Sequence, residues 1–210
     1  MKFYDCRTAP SPRRVRIFLA EKGLTIETIQ VDLANQENLK PAFLAINPRG
    51  VVPTLVLDDG TVLDEAVAVC RYIEETHPNP PLMGTDARSK AIIEARNRHI
   101  EQDGFLAVAN VLRNTSAALK DRAVQGVTEK VPQIPELAER GRASLRRFFE
   151  DLERHFANHP YVAGSTYSIA DITALVAVDF SRWIKAGIPP GNVYTERWHA
   201  EMSARPSAKA

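Results

Sequence analysis

The stretch Gly50-Val51-Val52-Pro53-Thr54-Leu55, followed by Asp58-Asp59-Gly60 and Asp64-Glu65-Ala66, holds the residues whose types and spacing suggest ligand chemistry. A proline directly before an apolar run lacks the N–H that a central strand needs, so it introduces an edge strand or a bend. An X-Pro bond in a tight bend is a candidate for the cis form, which leaves the backbone of Val52 free to pair with an extended peptide. Glu65 stands where the next helix opens. Backbone amides at a helix start attract an anion and the Glu65 carboxylate attracts a cation, a combination suited to the amino-acid end of a small peptide. The plainer readings are a proline that merely begins a strand and a first-turn acid that complements the helix dipole.

The elements that must hold these residues alternate in type over the first third of the chain. Phe3 and Tyr4 suit a short opening strand, and Ser11 followed by Pro12 reads as a helix start with serine as the cap. Val15, Phe18 and Leu19 form that helix's apolar stripe, and Gly23 ends it. Ile29 and Val31 suit a second strand, and Pro41 to Ile46 a short helix stopped by Asn47-Pro48. A hairpin of Thr54–Leu57 and Thr61–Leu63 turns about Asp59-Gly60, and a helix over Glu65–Thr76 closes the unit. This order is that of a thioredoxin-like domain, assigned to residues 1–77.

The run His77-Pro78-Asn79-Pro80-Pro81 breaks any helix, and residues 78–86 read as a linker. The remainder, 87–210, is expected to be all helix. Helical patterns run from Asp86 to about Leu119, from Pro135 to Asn158 and from Ser168 to about Gly187, with a loop over Lys120–Gln133. Ser168 and Asp171 make a variant capping box. The tail Ser203–Ala210 reads as frayed, and Arg13, Arg14 and Arg16 as a solvated helix face.

With 210 residues, 44% hydrophobic and 25% charged, the chain can bury a sizeable core. Its 27 lysines and arginines against 26 acids give no broad field for nucleic acid or an anionic membrane, so neither partner is expected. The opening Met-Lys-Phe-Tyr-Asp reaches a charge at once and no apolar run has membrane length, which points to a cytoplasmic protein. Two cysteines and five scattered histidines lack metal-ligand spacing, so no metal is expected. Cys70, among Ala66, Val67, Val69 and Ile73, reads as a buried small hydrophobe.

Four stretches in order resemble the glutathione transferase superfamily over essentially the whole chain. They are Lys2-Phe3-Tyr4-Asp5 leading into Ser11-Pro12-Arg13-Arg14-Val15-Arg16-Ile17-Phe18-Leu19-Ala20-Glu21-Lys22-Gly23; Lys40-Pro41-Ala42-Phe43-Leu44-Ala45-Ile46-Asn47-Pro48 with the Val-Pro turn; Tyr161-Val162-Ala163-Gly164; and Ser168-Ile169-Ala170-Asp171-Ile172-Thr173. The chain is similar to the bacterial and fungal branches that lack a catalytic tyrosine. The resemblance implies an α/β thioredoxin-like N-terminal domain and an all-α C-terminal domain that walls an electrophile site. It also implies glutathione as co-substrate and a homodimer.

Carried over position by position, the resemblance implies that Val52, with Pro53, pairs with the cysteinyl part of glutathione. Glu65 and Ala66 would meet its γ-glutamyl group, and Asn38 or Lys40 its glycyl end. Family members usually have serine at the Ala66 position, so one hydroxyl hydrogen bond is missing and a backbone amide remains. The thiol-facing group belongs in the loop Cys6-Arg7-Thr8-Ala9-Pro10-Ser11, where the usual hydroxyl position falls on Ala9. Ser11, Thr8 and Cys6 are the alternatives, beside a water or a residue of the long second-domain helix such as Asn110 or Arg113. Phe105, Phe180 and Trp183 are candidates to line an apolar pocket. A Cys-x-x-Cys pair is absent, which argues against dithiol chemistry. Three activities follow as expectations: conjugation of glutathione to a small apolar electrophile, a non-catalytic module of the same fold, or glutathione-dependent disulfide reduction.

Overall fold

The computed structural model describes residues 1–210. The first part runs β1 (Lys2–Asp5), α1 (Pro10–Glu21), β2 (Glu27–Gln30), α2 (Pro41–Leu44), β3 (Thr54–Val56), β4 (Val62–Leu63) and α3 (Ala66–Thr76). Its sheet has the order β2-β1-β3-β4, with β1 parallel to β2 and the other two pairs antiparallel. Phe3 lies opposite Leu55, and both side chains belong to the buried cluster that also takes in Val15, Ile17 and Phe18 of α1. Period-two burial in the strand and the helical stripe thus meet in one layer. This is the thioredoxin-like arrangement, and the rest of the chain is helical.

The helical part comprises α4 (Ala87–His99), α5 (Leu106–Thr115), α6 (Pro135–Phe156), α7 (Ile169–Ser181) and α8 (Val193–Ala204). A six-residue π segment, Ile100–Phe105, joins α4 to α5, so the long helical pattern expected from Asp86 is interrupted by a wider turn. Such segments often mark sites of special side-chain placement. Here it carries Glu101 and Phe105, both of which meet Arg14 of α1. Ser168 and Asp171 cap α7 reciprocally, as the sequence suggested, and Asp86 and Ser89, a box not expected from the sequence, do the same for α4. Helix α8 was not expected, because Pro189, Pro190 and Gly191 disguise its start and its pattern is short.

Two expectations are corrected. The tail is not frayed: Arg205 makes a two-pronged ion pair with Glu21 of α1, and Ser207 and Ala208 are buried. Nor do the α1 arginines form a solvated face. Arg13 pairs with Asp179 of α7, Arg14 with Glu101 and Arg16 with Asp5, each at 2.6 Å. All three acids are distant in sequence, so helical spacing alone assigned these arginines to solvent.

The linker is pinned as well. Lys22 Nζ pairs with Glu74 Oε2 at 2.6 Å and donates to the carbonyls of His77 and Pro80. Glu74 Oε1 accepts from the amides of Leu82 and Met83. One buried apolar cluster extends from Phe3 of the first part to Ala208 at the end of the second.

Candidate active site

The loop before β3 is braced on every side except at Val52. Asn47, 2% exposed, donates to Val51 O at 3.1 Å and Thr54 Oγ1 at 2.9 Å, and its Oδ1 accepts from the Arg49 amide at 3.0 Å. Thr54 Oγ1 donates to Val51 O at 2.8 Å, and Asn38 Nδ2 donates to Gly50 O at 2.7 Å. Gly50 adopts a φ of 58°, and a Cβ there would crowd Leu39 and the Asn38 carbonyl. The Val52-Pro53 bond is cis. No protein group bonds to the Val52 N–H or C=O, although backbone groups are ordinarily paired. A half-buried peptide unit with both groups free can accept an extended ligand as an added strand.

Helix α3 begins beside this loop. Glu65 holds the N-cap position in extended conformation, no side chain caps the helix, and the amides of Ala66, Val67 and Ala68 have no acceptor. Arg49 bridges the two segments, with Nε 3.5 Å from Asp64 and Nη2 3.3 Å from Glu65. Both members of the Arg49–Glu65 pair are well exposed, so the contact adds little stability and a ligand ammonium can compete for the carboxylate. Arg49 was not foreseen, since only folding brings position 49 to position 65.

Asn38 braces the loop through Nδ2, which donates to Gly50 O, while its buried Oδ1 has no protein partner and Lys40 is exposed nearby in the chain. The second part of the molecule reaches the same place. In the loop after α5, Gly126 sits against the chain at Arg49 so closely that a Cβ would overlap the Arg49 carbonyl oxygen. Arg113 of α5 holds that loop through Arg122 O at 3.2 Å and Gln125 Oε1 at 3.4 Å, and burial, with Arg122 adding to it, lowers its pKa.

At the other end of the candidate site, α1 starts two residues earlier than expected. Ala9 is the N-cap residue and Pro10 the first helical one, so Ser11 lies inside the first turn and does not cap it. Its hydroxyl oxygen accepts a hydrogen bond from Arg14 Nη2 at 2.9 Å, in place of the expected backbone amide. Proline at Pro10 and Pro12 explains the shift: both fit the first turn, and the earlier one nucleates it. Cys6 is buried with Sγ 3.5 Å from Thr8 Oγ1, and Thr8 is exposed. Arg16 and Gln30 converge on Asp5, and Arg16 also donates to the Arg7 carbonyl, which fixes the loop that carries Cys6 and Thr8. Cys70 is a core residue, 1% exposed, and burial pushes its thiol up to about 12.

From Arg14 a file of aromatic rings leads outward. Its guanidinium lies 4.7 Å from the Phe105 centroid, Phe105 is 5.3 Å from Phe180, and Phe180 is 5.3 Å from Trp183. Trp183 and Leu106 are about half exposed, so the file ends on an apolar surface open to a small molecule.

A thioredoxin-like sheet followed by a helical part has relatives. The glutathione S-transferase N-terminal domain pattern matches residues 8–76 and the corresponding C-terminal domain pattern residues 135–200. Glutathione S-transferase 2 of Saccharomyces cerevisiae is 32% identical over 211 residues, an overlap that takes in 100% of this chain and 88% of the yeast protein. The crystal structure of Gtt2 from the same yeast superposes with a TM-score of 0.91 at 31% identity, covering 100% of this chain and 99% of that one. A transferase homologue from Sulfitobacter, solved with bound glutathione, shares the fold with a TM-score of 0.80 at 24% identity, covering 99% and 94% of the two chains. The chain belongs to the glutathione S-transferase family.

Proposed function

We propose that the protein is a cytoplasmic, homodimeric glutathione transferase that activates the glutathione thiol and conjugates it to a small apolar electrophile. Residues 1–77 form the glutathione-binding domain, 78–86 the linker and 87–210 the helical wall of the electrophile site. The observation that carries this reading is the unpaired peptide unit of Val52 beside the uncapped start of α3. The cysteinyl part of glutathione pairs with Val52 next to Pro53. Its γ-glutamyl carboxylate takes the open amides at Ala66, its ammonium takes Glu65, and Lys40 meets the glycyl carboxylate.

The thiol loses its proton to water and the thiolate sulfur attacks the electrophilic carbon. A C–S bond forms and the leaving group departs with its electron pair. Ser11 is the thiol-facing donor, with Thr8 next, and the positive end of α1 adds to the field. Glutathione-dependent disulfide reduction through Cys6 is the competing reading, and the burial of Cys6 weighs against it.

Calorimetry with glutathione, together with turnover of a chloronitroarene and of hydroxyethyl disulfide, tests the proposal. Micromolar-to-millimolar binding with chloronitroarene turnover is expected. Binding without either turnover would favour the non-catalytic module, turnover of the disulfide alone would favour reduction through Cys6, and no binding would overturn the reading. Light scattering is expected to give twice the chain mass; a monomer would count against the dimer.

A further inference from the structure

Arg14 has the burial of a core residue, 5% exposed, and the charge of a site residue. Its Nη1 lies 2.6 Å from Glu101 Oε1, its Nη2 donates to Ser11 Oγ at 2.9 Å, and its plane is backed by the Phe105 ring. A guanidinium offers donors only, whereas a serine hydroxyl has one hydrogen and two lone pairs and ordinarily rotates. With one lone pair held by Arg14, the Ser11 hydrogen points away from Arg14. Because Ala9 occupies the N-cap, no backbone amide competes for the serine oxygen.

We propose that Arg14 is a positioning residue that aims the Ser11 hydroxyl hydrogen at the glutathione sulfur and polarises it for thiolate binding. The inference rests on the reading of Ser11 as the thiol-facing donor. No proton leaves Arg14 or Ser11. The thiol proton passes to water, and the charge left on sulfur is met by an O–H strengthened by a cation behind it. Glu101 fixes the guanidinium from the π segment and is itself shared with Arg98 at 3.1 Å. The other charges near Arg14 are already engaged. Glu74 of α3 pairs with Lys22, and Arg13 and Arg16 on α1 pair with Asp179 and Asp5. Cys70, which senses Arg14, stays protonated in the core. Arg14 is thus the cation that reaches the serine, through Nη2.

The thiolate absorbance of bound glutathione, followed across pH, reads the effect directly. Ser11→Ala is expected to move the midpoint up by about one pH unit, the difference between a charge-backed hydroxyl donor and none. Arg14→Lys, which keeps a charge without the fork, and Arg14→Met combined with Glu101→Gln, which removes both charges together and leaves no unpaired buried carboxylate, are expected to move it in the same direction. For the charge-free double variant kcat/KM falls about tenfold below the midpoint and recovers above it. Adding Ser11→Ala to that variant moves the midpoint no further, because Arg14 acts through the serine.

A midpoint unchanged in Ser11→Ala would overturn the serine reading and this inference with it. A midpoint raised by Ser11→Ala but unchanged in folded Arg14 variants would overturn the role of Arg14 alone. Additive shifts in the combined variant would show Arg14 acting on sulfur directly, against the proposal. Thermal unfolding of each variant separates these outcomes from loss of fold, and if the charge-free double variant unfolds, Arg14→Lys decides.

Discussion

The two ends of the candidate site are built on opposite principles. Around Val52 and the start of α3 the backbone carries the unpaired groups proposed to face the ligand, and the side chains either brace it from behind, as Asn38, Asn47 and Thr54 do, or stand in solvent, as Glu65, Arg49 and Lys40 do. Around α1 the working groups are charged side chains removed from water: Arg14 with Glu101, Arg16 with Asp5, and Lys22 with Glu74. The first end leaves peptide groups unsatisfied, and these gain when a ligand arrives. The second has nearly every charge matched inside the protein, so it is rigid and sensitive to loss of one partner. Binding and activation are therefore separable by mutation.

The largest effect is expected from Glu74→Ala at the second end. It would leave Lys22 as a buried unpaired cation and free the amides of Leu82 and Met83, a destabilisation of about 3–5 kcal/mol. Chemical denaturation measures it, and a loss under about 1 kcal/mol would mean that the linker is held by packing alone.

Glu65→Ala tests the other end. It is expected to raise the glutathione KM by one to two orders of magnitude, since a hydrogen bond to a charged group is worth about 1.5–3 kcal/mol, with unfolding free energy changed by less than about 0.5 kcal/mol. An unchanged KM would return Glu65 to the role of a first-turn acid.

Acidity tests the ion pairs around α1. Asp179 is pushed up by burial but held below its usual value overall by bonds from His199 and Arg13, and Glu21, likewise raised by burial, is lowered overall by Arg205 and Ser207. A carboxylate with a depressed folded-state pKa contributes stability that is present above its unfolded pKa, about 4, and is lost as pH falls through the folded value. Stability is expected to decline below about pH 4, with Asp179→Asn flattening that limb. A limb of the same slope in the variant would remove Asp179 from the account.

The smallest effect is expected from Arg49→Ala. Its partners are exposed or partly so, and the loss of stability should stay below about 1 kcal/mol, while the glutathione KM falls slightly as Glu65 is released. A strong rise in KM would instead make Arg49 a ligand contact.

The sequence by itself determined the elements whose signals are local. The apolar stripe of α1, the hairpin about Asp59-Gly60, the break at His77–Pro81 and the box of Ser168 and Asp171 each depend on neighbours within a turn or two, so spacing and residue type sufficed. The cis bond at Val52-Pro53 and the helix start at Glu65 were legible for the same reason, as a proline and an acid beside element starts.

Tertiary structure decided what depends on partners far along the chain. The serine expected to cap α1 instead accepts from Arg14, because Ala9 and Pro10 start the helix and Glu101, 87 residues away, fixes the guanidinium. Asn38 braces the loop because Gly50 came within reach, and the tail was ordered because Arg205 met Glu21 from 184 residues away. A charged side chain's role is set by which opposite charge folding delivers to it and by how much water is left between them, and neither quantity is a property of local sequence.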